Sequence, residues 1–320
     1  MELPPQLRRA VDRALSGVAL ADLAASAAAL SRRYREERSD GKPYVATTQD
    51  ALAYLATRLP ATYAAVRASL AAIAEARLDF APKTVLDLGA GPGTALWAAA
   101  DCWPGLADAL LVEASPIFHD VGEELAAEAH LPKVTWQIAD VAAAAVDGTP
   151  HDLVTAAYVL NELAPERQPL VVERAWLVTT DTLVIVEPGT PAGWQRILAA
   201  RQQLIEQGAY VVAPCPHAQA CPLQPPDWCH FAERLARSRL HRQAKGAEVP
   251  WEDEKFSYVA VSRRPAAHAG ARVIARPRKA SGRVTLKLCS PDGSAGEQLF
   301  SRRDGTTYKR ASRSNWGSSL

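Results

Sequence analysis

At 320 residues, with 36 Lys+Arg against 35 Asp+Glu and a formal net charge of +1, the chain has room for about two domains and a sizeable core. Its apolar share is inflated by alanine, and no apolar run is long enough to span a bilayer as a helix. The near-neutral total hides an asymmetry: from residue 261 onward thirteen Lys/Arg stand against three acids, a basic module on an acidic body that suggests a polyanionic partner.

Glu2, Asp12 and Asp22 argue against a secretory signal and against an acid-poor organellar presequence, so a cytoplasmic location is expected. Residues 1–80 read as a helical region. Leu7, Val11 and Leu15 are spaced by four, alanines crowd the stretch near residue 25, and Leu52, Leu55 and Leu59 keep helical spacing until Pro60 interrupts. From Lys83 the pattern changes to short apolar runs at 84–88, 109–112, 134–138, 153–157 and 183–186, alternating with helical segments. Strands separated by helices predict a parallel, doubly wound α/β sheet.

After Gly193 a helix carrying Ile197, Leu198, Arg201 and Leu204 leads into a proline-rich cysteine loop. A strongly basic helix is predicted over 231–245 and a late strand over 256–261. Beyond the Arg263-Arg264-Pro265 linker, alternation over 283–288 and the turn signal Pro291-Asp292-Gly293 predict a small β-rich module, with a disordered tail after Arg313. The expected division is a helical region at 1–80, a main domain at 81–263 with a cysteine-rich insertion at about 208–245, and a basic module at 264–320.

The segment 85–94 places Asp87 at a strand end, then Gly89, Gly91 and Gly93, then Thr94 at a helix start. Glycines permit tight turning and close backbone approach to a ligand, and the helix start offers free amides. Glu113 ends the next strand about 20 residues on, the place from which a carboxylate binds ribose hydroxyls. Thr94, where a nicotinamide fingerprint expects glycine or alanine, and Asp87 together resemble the class I S-adenosylmethionine-dependent methyltransferase motif. That resemblance implies that Gly89 and Gly91 line the methionine end, Asp87 meets its amino group, Glu113 holds the ribose and Asp140 faces the adenine. An Asp at a strand end is equally a helix cap. Asn161 and Glu162 follow the fourth strand, near where this fold places the transferred methyl, and are the candidate catalytic pair. They serve equally as caps of the next helix. The Asn/Asp-Pro-Pro-aromatic tetrapeptide of many amino-group methyltransferases is missing.

Cys215, Cys221, Cys229 and Cys289 are separated by five, seven and fifty-nine residues. Reducing compartments make clustered cysteines metal ligands or catalytic groups more often than cross-links. Zinc sites pair ligands two to four residues apart, which fits poorly, although His217 and His230 are reserve ligands in a zinc reading. Four thiolates also suit a [4Fe–4S] cluster. Cys102, beside Trp103, reads as an ordinary core residue.

Glu187-Pro-Gly-Thr-Pro-Ala-Gly193, Cys215-Pro-His217, Cys221-Pro-Leu223, Asp227-Trp-Cys-His-Phe231, Arg237-Ser238, His241-Arg242, Lys245 and Glu252-Asp-Glu-Lys-Phe-Ser-Tyr258 together resemble the Rsm twenty-two family, methyltransferase-like proteins of the mitochondrial small ribosomal subunit with bacterial relatives. The likeness runs from about residue 40 to the end. It implies a class I, Rossmann-like methyltransferase fold, S-adenosylmethionine as cofactor, a [4Fe–4S] cluster on Cys215, Cys221, Cys229 and Cys289, and action on the small ribosomal subunit or its rRNA. Arg234, Arg237, Arg239, Arg242 and Lys245 with the basic tail are expected to track phosphates, and Trp228, Phe231 and Trp251 to stack on bases. The expectation is a methyltransferase-like assembly protein, monomeric off the ribosome and with no membrane partner. The alternatives are a non-catalytic assembly factor with a vestigial fold and a zinc-stapled small-molecule methyltransferase.

Overall fold

The computed structural model describes residues 1–36, 44–127, 133–143, 149–266 and 270–320. Four helices open the chain: α1 (Pro5–Ala14), α2 (Leu20–Glu36), α3 (Thr48–Thr57) and α4 (Leu59–Ala76). Pro5 and Pro60 sit in the first turns of α1 and α4, where a missing N–H costs nothing. Thr47 and Asp50 close a reciprocal capping box at the start of α3, each side chain 3.1 Å from the other's amide nitrogen. Leu59, Val66, Leu70 and Ile73 of α4 are fully buried, because this helix lies between its neighbours and one face of the main sheet. The helical region therefore shares the core of the domain that follows.

That sheet holds β1 (Thr84–Leu88), β2 (Asp108–Glu113), β3 (Lys133–Ile138), β4 (His151–Ala157), β5 (Thr179–Pro188), β6 (Tyr210–Ala213), β7 (Phe231–Ala236) and β8 (Trp251–Ser262). Helices α5 (Thr94–Cys102), α6 (Pro116–Ala126), α7 (Gln168–Leu177) and α8 (Pro191–Glu206) connect the strands, and α9 (Arg239–Lys245) follows β7. The order is β3-β2-β1-β4-β5-β8-β6, with β7 beside β8. Strands β3 to β5 along this path are parallel, and β8 runs antiparallel to β5. This is the expected class I methyltransferase fold, and its strand order reverses at β1 and β4, where such sheets bind ligands at their carboxyl ends.

The segment 231–245 departs from the predicted single helix. Phe231 and Leu235 are buried while Arg234 and Ala236 are exposed, an alternation satisfied by pairing β7 with the amino-terminal half of β8. Ser238 then accepts a hydrogen bond from the His241 amide at 3.1 Å and starts α9 afresh.

The last part forms a separate sheet of β9 (Arg272–Val273), β10 (Arg278–Ala280), β11 (Arg283–Cys289) and β12 (Ala295–Ser301), followed by α10 (Gly305–Arg313). Val273, Val284, Leu286, Leu288, Phe300 and Ala311 make its core. The tail after Arg313, expected to be disordered, instead lies along β9: the amides of Val273 and Leu320 donate to the Ser318 and Ala271 carbonyls at 3.0 and 2.9 Å. An open strand edge supplies those partners. Arg272, 8% exposed, donates to the Pro214 carbonyl at 3.0 Å. Lys287 pairs with Asp227, so the module is docked on the cysteine loop.

Candidate cofactor site

The glycine loop turns tightly off the end of β1, with Gly89, Gly91 and Gly93 all at positive φ, +66°, +54° and +80°. At Gly89 a Cβ would come within 2.6 Å of Val159 Cγ2, whereas at Gly91 it would meet nothing within 4 Å. Gly89 is thus required by close packing, and Gly91 presents bare backbone to open space. Gly89, Gly91, Glu113, Asp140 and Glu162 line one cavity of about 160 Å³ at the carboxyl ends of the strands, and Tyr34, Tyr158 and Val159 complete its walls. Gly93 lies outside these walls, facing Leu111 and Trp136, and caps α5 in the left-handed conformation.

Glu113 is held by two backbone donors, the Gly91 amide on one oxygen and the Ser115 amide on the other, both at 2.8 Å. Burial nevertheless raises its pKa, against the lowering by these amides. Asp87 is 1% exposed. Its Oδ1 accepts from Thr155 Oγ1 at 2.6 Å, the two residues being register partners across β1 and β4. Its Oδ2 has no hydrogen-bond partner among the described residues, and burial pushes the carboxyl up to about 7. A buried carboxylate oxygen without a partner is costly and calls for a donor.

Glu162 faces the cavity, with its pKa pushed up to about 8 by the surrounding protein first and by the Glu113 and Glu187 carboxylates next. The residue is exposed to solvent, which works against that rise. Asp140 lines the cavity while its Oδ1 accepts from the Ala142 amide at 2.8 Å. It caps a turn, and its second oxygen pairs with Arg167 at 4.0 Å. Asn161 is elsewhere: it is 4% exposed, does not line the cavity, and neither side-chain atom has a hydrogen-bond partner among the described residues. Glu187, fully buried at the end of β5, anchors this turn by accepting from the Leu160 amide at 3.0 Å and from Arg196 at 2.6 Å. Sequence reasoning missed Tyr158, which holds φ +60° and hydrogen-bonds Glu254 at 3.0 Å. Nothing local marks it, since Glu254 is 96 residues away.

A second, small cavity of about 30 Å³ is lined by Cys215, Cys221, Cys229, Cys289 and His217 together with apolar side chains such as Trp194, Leu223 and Ile274. Burial, first among the causes, raises the thiols of Cys221 and Cys229, and that of Cys289 to about 12. Cys289 Sγ lies 3.4 Å from His217 Nε2.

Residues 48–320 match the family model described as "Mitochondrial small ribosomal subunit Rsm22". The chain belongs to the Rsm22 family. It is 30% identical over 290 residues to the human "Ribosome assembly protein METTL17, mitochondrial", covering 84% of this chain and 62% of that protein. It is 24% identical over 330 residues to the Schizosaccharomyces pombe "Rsm22-cox11 tandem protein 2, mitochondrial", covering 85% of this chain and 43% of the relative. The chain thus spans about three-fifths or less of the length of these curated relatives. Among solved structures it is similar to the Synechocystis magnesium protoporphyrin IX methyltransferase with bound SAM, at 14% identity and TM-score 0.43 over 75% of this chain and 97% of that one. It is also similar to the ribosomal protein L11 methylase of Lactobacillus delbrueckii, at 17% identity and TM-score 0.39 over 62% of this chain and 78% of that one.

Two expectations are corrected for this Rsm22-family chain. The four cysteines converge on one cavity, yet among the described residues no group of three or more His, Cys, Asp or Glu side chains is arranged to hold a metal ion. That overturns the [4Fe–4S] cluster and the zinc alternative, with His217 and His230 as its reserve ligands. In physical terms burial favours the neutral thiols of Cys221, Cys229 and Cys289, which pack as small apolar groups, and the C-terminal module is docked by Arg272, Lys287 and the ring contact of His230 with Trp316 at 4.9 Å. The expected cytoplasmic location is overturned as well, because the family and the relatives it matches are mitochondrial. Among the described residues no helix is long and apolar enough to cross a membrane.

Proposed function

We propose that the chain binds S-adenosylmethionine in the glycine-loop cavity and acts as a methyltransferase-type assembly protein on the rRNA of the small ribosomal subunit. The observation that carries the reading is geometric: Gly89, Gly91, Glu113, Asp140 and Glu162 line one cavity at the carboxyl ends of the strands, and Asp87, outside that lining, holds a buried oxygen without a hydrogen-bond partner among the described residues. Such an oxygen calls for a donor, and S-adenosylmethionine carries an ammonium as well as a sulfonium. Asp87 would take the ammonium on its unpartnered oxygen, Glu113 the ribose hydroxyls, and Asp140 the adenine edge. When bound, the cofactor supplies an electrophilic methyl carbon. The chain's part is then to align an acceptor with it, and Glu162 is the group placed to receive an acceptor proton.

The ribosomal part of the reading rests on kinship with the Rsm22 and METTL17 proteins and on charge. The residues expected to track phosphates after Cys229 are largely engaged inside the protein: Arg234 pairs with Asp253 at 2.7 Å, Arg237 and Lys245 with Glu252 at 3.2 and 2.9 Å. Phe231 is buried and Trp228 stacks on His230. The C-terminal module carries exposed cations without a carboxylate partner among the described residues, among them Lys279, Arg283, Arg302, Arg303, Lys309 and Arg310. These are the groups for RNA phosphates.

A second reading, cofactor binding without transfer, is favoured by the burial of Asn161 away from the cavity. Calorimetry with S-adenosylmethionine followed by labelled methyl transfer to small subunits from cells lacking the protein separates the two. Binding with transfer supports the enzyme, binding without transfer supports the assembly factor, and no binding removes the cofactor.

A further inference from the structure

A third cavity, of about 670 Å³, adjoins the glycine-loop cavity and is bounded by α2, α9, the start of β8 and the turn that leaves β5. Its size falls in the range of about 300–1,000 Å³ typical of small-ligand sites. Tyr34 lines both cavities. Tyr158 on the cofactor side donates to Glu254 on the far side at 3.0 Å, and Arg58 stands 3.6 Å from Glu254 and 5.0 Å above the Tyr34 ring. The two spaces therefore meet at Tyr34, beside which Arg58 offsets the charge of Glu254.

The remaining charges of the cavity do not cancel. Glu252, its other acid, already faces Arg237, Lys245 and His241. Arg32 and Lys255 line the same cavity, are exposed, and have no carboxylate partner among the described residues. The floor is rigid: the Gly189 amide donates to the Lys255 carbonyl at 2.9 Å, Trp228 Nε1 donates to the Gly189 carbonyl at 3.1 Å, and a Cβ at Gly189 would lie 2.7 Å from the Lys255 backbone. Two cations without a carboxylate partner among the described residues are thereby held over a fixed floor beside the cavity proposed for the cofactor.

We infer that this cavity is the acceptor site and that it takes one unpaired nucleotide of an RNA strand, with its flanking phosphates on Arg32 and Lys255. The inference rests on the glycine-loop cavity being the cofactor site. Selection of an unpaired nucleotide follows from the chemistry, because a base that stays stacked and paired in a duplex cannot bring its acceptor atom to a methyl carbon held in the adjoining cavity. The basic C-terminal module would then hold the surrounding RNA while this site positions the acceptor.

The test uses the full chain saturated with S-adenosylhomocysteine and titrated by calorimetry with a 5′-phosphorylated mixed-sequence RNA trinucleotide. Arg32→Glu and Lys255→Glu are each expected to weaken trinucleotide binding roughly tenfold and to flatten its salt dependence, by about 0.7 in log–log slope per lost phosphate contact. Both are expected to leave S-adenosylhomocysteine affinity unchanged. Lys133→Glu, exposed at the start of β3 and outside both cavities, serves as the charge-reversal control and is expected to leave trinucleotide binding intact. Trinucleotide binding that survives Arg32→Glu and Lys255→Glu but is lost in Arg302→Glu with Arg303→Glu would place the RNA on the C-terminal module and overturn the acceptor site. No trinucleotide binding to a protein that binds S-adenosylhomocysteine would overturn it also. Failure of S-adenosylhomocysteine itself to bind would sink the cofactor reading separately, and with it the assignment of this cavity to an acceptor.

Discussion

Replacing Asp87 by Asn tests stability and cofactor binding in one variant, with opposite signs. The carboxyl is 1% exposed and its pKa is pushed from 3.8 to about 7, first by desolvation and against the help of Thr155. The folded pKa lies above the unfolded one, so the folded state holds the extra proton between these values. Stability is then highest below about pH 4, declines as pH rises toward 7, and stays reduced above it. A displacement of about three pH units corresponds to a cost on the order of 4 kcal/mol at pH 8. Asn keeps the acceptor for Thr155 Oγ1 and removes the charge, so Asp87→Asn should unfold at higher urea at pH 8, by up to that amount, and match the unaltered protein near pH 4. The same change deprives the cofactor ammonium of its anion, worth about 1.5–3 kcal/mol for a charge-assisted hydrogen bond, or roughly 10- to 100-fold in affinity. Urea titrations at pH 4, 6 and 8 with calorimetry at pH 8 read both. A variant less stable than the parent at pH 8, or one that binds S-adenosylmethionine equally well, refutes the account of Asp87.

In the unaltered protein, S-adenosylmethionine affinity should rise from pH 6 to pH 8 as Asp87 gives up its proton, and the rise should shrink in Asp87→Asn; a flat profile in both counts against ligation by Asp87. Gly89→Ala places a methyl 2.6 Å from Val159 Cγ2 at φ +66°, so a loss of about 1–3 kcal/mol in chemical denaturation is expected, and adding Val159→Ala should recover the steric share. Ser238→Ala removes the cap of α9 and should cost about 1 kcal/mol, without changing S-adenosylmethionine affinity. Arg272→Ala removes the hydrogen bonds to the Pro214 and Gly317 carbonyls, so limited proteolysis should release the C-terminal module faster than from the parent chain.

What the sequence made legible is what local rules govern. The strand ending at Asp87, the three glycines that follow and the carboxylate at Glu113 form a contiguous pattern whose backbone demands are met within one strand-turn-helix unit and its neighbour. The same holds for the helical spacing of Leu7 and Val11, both buried as that spacing predicts. The segment 231–245 was misread because Phe231 and Leu235 suit either period, and only the open edge of β8 decides for a strand. Local pattern also showed that Cys215, Cys221 and Cys229 cluster. Whether four sulfurs arriving from a loop and from β11 are placed to share an ion is a matter of tertiary geometry, and here the geometry is a small apolar cavity.

Composition, periodicity and the glycine loop by themselves determined a doubly wound sheet with a nucleoside-type turn, because hydrogen bonding along a strand and φ at a glycine depend on residues a few positions apart. The tertiary structure alone decided which side chains share a cavity. Tyr34, Arg58, Tyr158 and Glu254 come from four separated stretches, and their meeting depends on helix α4 being pressed against the sheet by the burial of its apolar faces, a cooperative effect of the whole core that no short segment encodes.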